Sequence, residues 1–283
     1  MPNYGYHLAR AEGAAMRRLY AALLPAIVRR PVPVERMLPF EVFSYSSEEA
    51  VPEQVASIRS LLRFAGRPKS FTIVSDGSHS RRSRDLIEKV DPCVGIAEVA
   101  EYQPTDVPPE ASSYLANHPT GRQLALIMSL PKKNEPAFYI DSDVLFFPGA
   151  RSLSSLAAPS PALYLADCRL SADERLFRDE TEKHNPVNTG VLFLGQRIDW
   201  SVSFERLLAL DGAPIFFTNQ TLTHLAMKRA GAAPFDSSKF VLQLDDQFEW
   251  RDRYARRDLV LRHYVNPVRH KFWTALARRP FLP

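Results

Sequence analysis

Phe138-Tyr139-Ile140-Asp141-Ser142-Asp143-Val144-Leu145-Phe146-Phe147 places two carboxylates, one residue apart, inside an otherwise apolar run. Ala137 to Ile140 and Val144 to Phe147 are short β-branched and aromatic runs of the kind that form buried strands. Bare carboxylates in such a place are costly unless something cationic answers them. Side chains at i and i+2 of an extended segment point the same way, so Asp141 and Asp143 can converge on one site. Carboxylate oxygens at a strand end suit a hard divalent cation, manganese or magnesium.

Upstream of this stretch, strand and helix patterns alternate. Phe40 to Ser46 reads as a strand, and Pro52-Glu53 opens a helix with Val55, Ile58, Leu61, Leu62 and Ala65 on one stripe. Phe71 to Val74 is a second strand, Ser83 to Val90 a second helix, and Val94 to Val99 a third strand. This alternation predicts an α/β domain with a mostly parallel central sheet. Ligands of such sheets bind beyond the carboxyl ends of the strands, where Ser44-Tyr45-Ser46 and Ser75-Asp76 fall. The polar, proline-bearing stretch from Glu101 to Pro119 reads as a loop. Arg122 then opens a helix with Leu124, Ile127, Met128 and Leu130 on one face. As a planar, permanent cation, Arg122 is either solvated or a ligand for a phosphate or sugar.

Downstream, Ala162 to Ala166 is a strand ending at Asp167, and the charged segment Arg169 to His184 predicts a mobile loop or short helices over the site. Asn188-Thr189-Gly190 precedes the apolar run Val191 to Leu194, which predicts a close backbone approach at a strand entrance. Ser201 to Leu210 is a helix, and Thr218 is the expected cap of another that carries Asn219 and Gln220. Leu259 to Tyr264 delivers His263 to a strand end, directly before Arg269, His270 and Lys271. A histidine in a strand is either structural or, as a neutral imidazole, the completion of a two-carboxylate metal site.

With 283 residues, 45% hydrophobic and 11% aromatic, the chain can bury a full core. No apolar run approaches the roughly 20 residues needed to span a bilayer. Two cysteines, Cys93 and Cys168, make neither a disulfide framework nor a metal-ligand spacing. The expected location is the cytoplasm. The net charge of +4 is unevenly placed: residues 1–36 carry six Arg against two Glu, residues 251–283 nine basic against two acidic, and the part between 21 basic against 28 acidic. Basic ends could serve an anionic lipid, an anionic substrate or solubility, and nothing resembles a nucleic-acid motif. Residues 1–38 predict a helical extension in which Leu8, Ala11, Ala15, Leu19, Ala22 and Leu23 recur at helical spacing. That stripe would either pack on the domain behind it or lie on the cytoplasmic face of a membrane.

Taken in order, these stretches resemble the nucleotide-sugar-dependent glycosyltransferases of the GT-A fold. The similarity is to the glycogenin and bacterial galactosyltransferase group, family 8, over about residues 40–275. The resemblance implies a single Rossmann-like GT-A domain at 39–283, behind the 1–38 extension. It implies a metal-dependent, hexosyltransferase-type enzyme moving a sugar from a UDP-sugar to an acceptor hydroxyl with retention; the acceptor could be a glycan, a lipid-linked sugar or a protein. Tyr139 to Asp143 resembles the family's Asp-x-Asp motif, with Asp141 reaching metal and ribose, and Asp143 and His263 binding Mn²⁺ (or Mg²⁺). Asn188-Thr189-Gly190-Val191 resembles Asn-Ser-Gly-Val, in which the Asn faces the donor sugar. Asp167 matches another sugar-facing carboxylate, and it and Gln220 are the residues implied nearest the anomeric carbon. Arg122 stands where the family has a cation near the donor, and Ser44, Tyr45 and Asp76, at the carboxyl ends of their strands, are further substrate-binding candidates.

Asn266 replaces a family Gly, and the longer spacing from His263 leaves either Arg269 or Lys271 as the diphosphate ligand. Asn219-Gln220 stands for the family's Asp-Gln, removing a carboxylate near the sugar. An inverting enzyme would instead need a general base, for which Asp167 and Asp245 are candidates. Two alternatives stay open: a non-catalytic nucleotide-sugar-binding or scaffold protein on the same fold, and a phosphohydrolase using Asp141 as nucleophile and Asp143 as acid and base.

Overall fold

The computed structural model describes residues 3–132, 135–156 and 161–278. Helix α1 (Tyr4–Ile27) leads, followed by β1 (Glu41–Ser46), α2 (Val51–Phe64), β2 (Phe71–Ser75), α3 (Arg81–Glu88) and β3 (Val94–Glu98). Then come α4 (Pro109–Asn117), α5 (Pro119–Met128), β4 (Ala137–Ile140), β5 (Val144–Phe146), β6 (Leu163–Ala166) and β7 (Val187–Leu194). The chain closes with α6 (Ser201–Leu208), α7 (Thr218–Arg229), β8 (Ala233–Pro234), β9 (Phe240–Val241), β10 (Leu261–His263) and α8 (Arg269–Arg278).

Seven strands form the main sheet in the order β3-β2-β1-β4-β7-β6-β8. Four of its six pairings are parallel, while β7 runs antiparallel to both β4 and β6, so the sheet is mostly parallel as the alternation predicts. A second sheet has the order β5-β10-β9. The two apolar halves of the opening stretch therefore belong to different sheets, and the chain changes sheet at Asp141-Ser142-Asp143. Antiparallel pairing sets His263 opposite Val144, next to Asp143.

Strand alternation sorts the core. Along β4, Phe138 and Ile140 face one apolar cluster with Phe40, Phe146 and Phe193, whereas Ala137 and Tyr139 face another with Phe43, Leu192 and Trp200. All four β4 residues are buried, so the central strand has no free face. Truncating a fully buried aromatic such as Phe138 to Ala would cost about 3–5 kcal/mol.

Three local expectations are corrected. The polar stretch before Pro119 contains α4, which buries only Ala111, Tyr114 and Leu115; that i, i+3, i+4 set is thin among Pro, Ser and Glu. Asn188 to Gly190 lie inside β7 instead of before it. Thr218 is the first residue of α7, after the cap Phe217, and its hydroxyl accepts from Ile215 N–H at 2.8 Å and donates to Asp173 at 2.7 Å.

The largest correction concerns α1, which packs on α8 and α2 through a different face from the one its periodicity suggests. Ala9, Gly13, Met16, Tyr20 and Leu24 turn inward, and Tyr20 meets the Trp273 ring at 5.2 Å. A Cβ on Gly13 would come within 2.5 Å of the His270 carbonyl oxygen, so glycine sets how closely the two helices approach. The stripe of Leu8, Leu19 and Leu23 is left at 54, 51 and 47% exposure.

Candidate active site

The turn from β4 to β5 meets the end of β10 and the middle of β7 at a cavity of about 330 Å³. Asp141, Asp143, Asp167, Asn188, Asn219, Gln220, His263 and Arg269 all line it. One ligand atom from each of Asp141, Asp143 and His263 lies within 4.8 Å of the other two.

Hydrogen bonds orient each ligand. The Asp141 backbone N–H donates to Gly190 O at 2.8 Å, which ties the turn to β7. Its Oδ1 accepts from Tyr139 Oη at 2.9 Å and from Gln123 Nε2 at 3.0 Å, leaving Oδ2 at 3.6 Å from His263 Nε2. Asp143 Oδ1 is 3.0 Å from His263 Nε2, and its Oδ2 accepts from Arg269 at 2.6 Å. On the other side of the ring, His263 Nδ1 is 2.9 Å from Asn188 Oδ1, which also accepts the Gly190 N–H at 2.9 Å. An oxygen that accepts one N–H there makes His263 Nδ1 the second donor. The imidazole is thereby fixed with Nε2 aimed at the carboxylates, the arrangement a metal ligand needs. Glycine is required beside it, because a Cβ on Gly190 would lie 2.1 Å from His263 Cε1.

The charges are matched but exchangeable. Burial works to raise the Asp143 carboxyl, yet His263 and Arg269 outweigh it and hold the group down to about 2. Asp141 goes the other way, raised by burial and by the Asp143 charge against the opposing pull of His263. Burial alone would lower His263, but Asp143 and Asp141 hold it above its ordinary value. Two protein cations, His263 and Arg269, thus answer the carboxylates. Two carboxylates and one correctly oriented imidazole form a donor set that fits a divalent ion.

The remaining sugar-facing candidates form a chain across the cavity. Asn188 Nδ2 donates to Gln220 Oε1 at 3.4 Å, and Gln220 Nε2 donates to Asp167 Oδ2 at 3.0 Å and Ser171 O at 2.8 Å. Asn219 Nδ2 donates to Gln123 Oε1 at 3.0 Å, so this amide braces the residue that orients Asp141. Short helices at Glu174–Leu176 and Glu180–Lys183 follow Arg169 and Ser171 at the rim.

Other expected residues lie elsewhere. Tyr45, Asp76 and Arg122 gather at the carboxyl ends of β1 and β2, where Arg122 donates to Asp76 O at 3.2 Å and to Ala116 O at 2.8 Å. Burial, then the Asp76 charge, raises the Tyr45 phenol. None of the three lines the cavity. Ser44 is fully buried and donates to Gln54 Oε1 at 2.9 Å, because its position on β1 points it at α2 instead of along the strand end. Lys271 is also fully buried, donating to Glu249 O and Arg251 O at 2.8 Å each, and only Arg269 of the two cations reaches Asp143. Asp245 is held by Arg253 and Tyr254 at 2.7 Å each and does not line the cavity.

Sequence reasoning missed Gln123, Tyr139, Phe216 and Phe217. Tyr139 was accessible from period-two alternation, since it stands two residues before Asp141. Gln123 follows Arg122 with no signal of its own. Phe216 and Phe217 form an exposed aromatic lip on the cavity. Their loop is braced from below by Arg175, which is paired to Asp173 and donates to Asp211 O at 2.8 Å and Ala213 O at 3.0 Å.

A second cavity of about 530 Å³ lies against the same Asp143 and Arg269, and is lined also by Ser142, Ser47, Glu49, Glu53 and Arg17 of α1. Arg17 donates to Glu53 at 2.6 Å, and Trp273 Nε1 donates to the same carboxylate at 3.1 Å. The first helix is thereby tied to the edge of the site.

No protein-family profile and no curated protein sequence matches the chain. Solved structures do. The chain is similar to a galactosyltransferase, LgtC, in complex with donor and acceptor sugar analogues: TM-score 0.55, 12% identity, 86% of this chain and 97% of that one. It is similar to the bifunctional glycosyltransferase WbbM, with TM-score 0.54 and 15% identity, over 88% of this chain and 51% of that one. Mouse xyloside xylosyltransferase 1 is similar with TM-score 0.51 and 14% identity, over 82% of this chain and 99% of that one. Likeness at this level of identity establishes architecture: the chain has the α/β GT-A fold.

Proposed function

We propose that the protein is a metal-dependent glycosyltransferase that moves a sugar from a nucleotide diphosphate sugar, UDP-sugar foremost, to an acceptor hydroxyl. The oriented Asp141–Asp143–His263 set, in one cavity with Asp167, Asn188 and Gln220, is the observation that carries this. Residues 39–283 would be the catalytic domain, and residues 1–38 an extension that borders the site through Arg17.

Asp141, Asp143 and His263 would hold Mn²⁺ or Mg²⁺, which supplies charge neutralisation of the diphosphate as its bond to the anomeric carbon breaks. Arg269, more than half exposed and bound to Asp143, is free to transfer its guanidinium to a phosphate oxygen. Tyr45, Asp76 and Arg122 would take the nucleoside end. Asn188, Gln220 and Asp167 would orient the sugar so that the acceptor oxygen meets the anomeric carbon in a reactive pose. Retention follows if Asp167 and Gln220 flank that carbon and the acceptor enters on the face the diphosphate leaves. The lip of Phe216 and Phe217 offers an apolar platform for the acceptor, whether a glycan, a lipid-linked sugar or a protein side chain. The basic amino-terminal extension adds an anionic membrane surface to the partners.

The test measures melting temperature with manganese and each of UDP, GDP, CDP and ADP, for wild type and Asp143→Ala, followed by transfer from the matching sugar donors. A ligand that binds only the folded state raises the midpoint. We expect a manganese-dependent shift with UDP that disappears in the variant. No shift with any nucleotide would refute the donor class. One observation favours a second reading: Asn219, an amide committed to Gln123, stands where a carboxylate would sit near the sugar. Nucleotide binding without transfer or hydrolysis would establish that non-catalytic alternative.

A further inference from the structure

Helix α1 presents a second, outward face that nothing among the described residues covers. Tyr4 is 74% exposed, and Leu8, Leu19 and Leu23 are each about half exposed. At 100° per residue Leu8, Ala11, Ala15, Leu19 and Ala22 share one side of the helix, opposite the packed side of Ala9, Gly13, Tyr20 and Leu24. With 24 residues the helix is about 36 Å long. Continuous apolar exposure on that scale marks an interaction surface.

Charge says what covers it. Arg18 flanks the stripe, and Arg29 and Arg30 follow the helix, all exposed. Arg17 and Arg36 are paired with Glu53 and Glu35, but among the described residues no acidic side chain pairs with Arg18, Arg29 or Arg30. Glu12, the one acid in the helix, accepts from Trp250 Nε1 at 2.9 Å. Trp250, beside Glu12, is itself 45% exposed and extends the apolar face towards its amino-terminal end, whereas Phe248 meets Tyr6 on the packed side of the helix. Leucine and alanine between arginines, with tryptophan and tyrosine at one end, is the composition of a helix lying in the plane of a bilayer surface. The basic carboxyl-terminal segment is a poorer candidate, because Arg262, Arg269 and Lys271 are bound to buried carboxylates, and Arg253 and Arg256 are paired on the surface with Asp245 and Asp258.

We propose that this face of α1 seats the protein on an anionic lipid bilayer. It deepens the membrane element of the function proposed above and is independent of the transfer chemistry, so the two can fail separately. Behind the docked face, Arg17 on the same helix borders the cavity beside Asp143, which places the site a single helix away from the lipid.

The test is co-sedimentation of the full chain with vesicles of phosphatidylcholine alone and of equimolar phosphatidylcholine and phosphatidylglycerol, with melting temperature and light scattering run in parallel. Wild type should bind the anionic vesicles and lose them at raised salt. Leu8→Glu/Leu19→Glu should bind at least about tenfold more weakly, and Arg18→Glu/Arg29→Glu should lose the preference for anionic lipid. All four positions are exposed, so melting temperature and the nucleotide-induced shift should be unchanged. Wild type failing to bind anionic vesicles, or both variants binding as wild type does, overturns the proposal. So does a wild-type dimer that Leu8→Glu/Leu19→Glu converts to monomer, since the face would then belong to a second copy of the chain.

Discussion

Two ionic clusters sit back to back across β10, built from neighbouring residues and opposite in design. His263 faces the cavity with Asp143, Asp141 and Arg269, while Arg262, one residue earlier, faces the interior. There its guanidinium reaches both oxygens of Asp246 at 2.8 and 3.0 Å, and Asp252, and lies between the rings of Tyr254 and Tyr264 at 5.0 and 4.9 Å. Tyr264 donates to Asp252 at 2.7 Å, and Lys271 is 3.6 Å from Asp246. The inner cluster is closed, since Arg262, Asp246 and Lys271 are fully buried and bound to one another or to backbone carbonyls. The outer one is open, because its cations are a titratable ring and a half-exposed guanidinium. A closed network fixes the segment from Gln243 to Asp252, whereas an open one can exchange its partners for a ligand.

The sharpest way to break this comparison is Arg262→Ala, which strands two buried carboxylates. It should cost about 3–5 kcal/mol, read by urea denaturation. A variant as stable as wild type would mean that the inner cluster is not structural. On the outer side the effect should fall on chemistry. Asp143→Asn should lower transfer roughly 10²–10³-fold while its melting temperature without metal falls by only a few degrees, because Arg269 can return to solvent. Large unfolding of Asp143→Asn would make both clusters structural.

The contrast also explains what the sequence could and could not reveal. Asn188 and His263 were legible because each sits at a strand position whose facing follows from alternation, and Asp141 and Asp143 because they break an apolar run where the chain turns from β4 into β5, at the place the strands meet. Arg269 and Lys271 were not separable. They lie two residues apart on α8, so they point to different sides of a helix whose docking against α1 is a tertiary event. The α1 stripe left two readings open for the same reason: helical spacing identifies an apolar face, but Gly13 and Ala9 decide which face the rest of the protein can approach. Ser44 failed by one residue of alternation, since it points at Gln54 and not toward the ligand side. The exposed Phe216 and Phe217 carry no pattern at all, because their loop is placed by Arg175 from a distant segment.

A smaller and more selective effect separates the two cations. Arg269→Ala should weaken donor nucleotide binding about tenfold, read as a raised donor KM, with folding intact. Lys271→Met should leave the donor KM of the folded fraction unchanged and instead lower stability, since Asp246 and two carbonyls lose a partner. The reverse pattern would move the diphosphate contact to Lys271 and dissolve the division between the clusters.

The finest distinction is in pH dependence, measured with metal removed by chelation. In the outer cluster Asp143 is depressed to about 2, below the unfolded value of about 3.9, so its contribution is present above that value and lost as pH falls towards 2. His263 is raised above its unfolded value of about 6.5, so its contribution is present below that pH and lost as pH rises through the folded value. The stability difference between wild type and Asp143→Asn should therefore plateau between about pH 4 and pH 6.5, on the order of 1–2 kcal/mol, and shrink on both sides. The inner cluster has its main edge in acid. Asp246 is also depressed, its burial outweighed by Arg262, which does not titrate, and to a lesser extent by Lys271, whose own titration burial lowers. A difference curve for Asp246→Asn should rise once from acid and stay level through neutral pH. If the Asp143 curve showed no alkaline edge, His263 would be neutral in the metal-free protein, and Arg269 alone would be the cation that a bound metal has to displace.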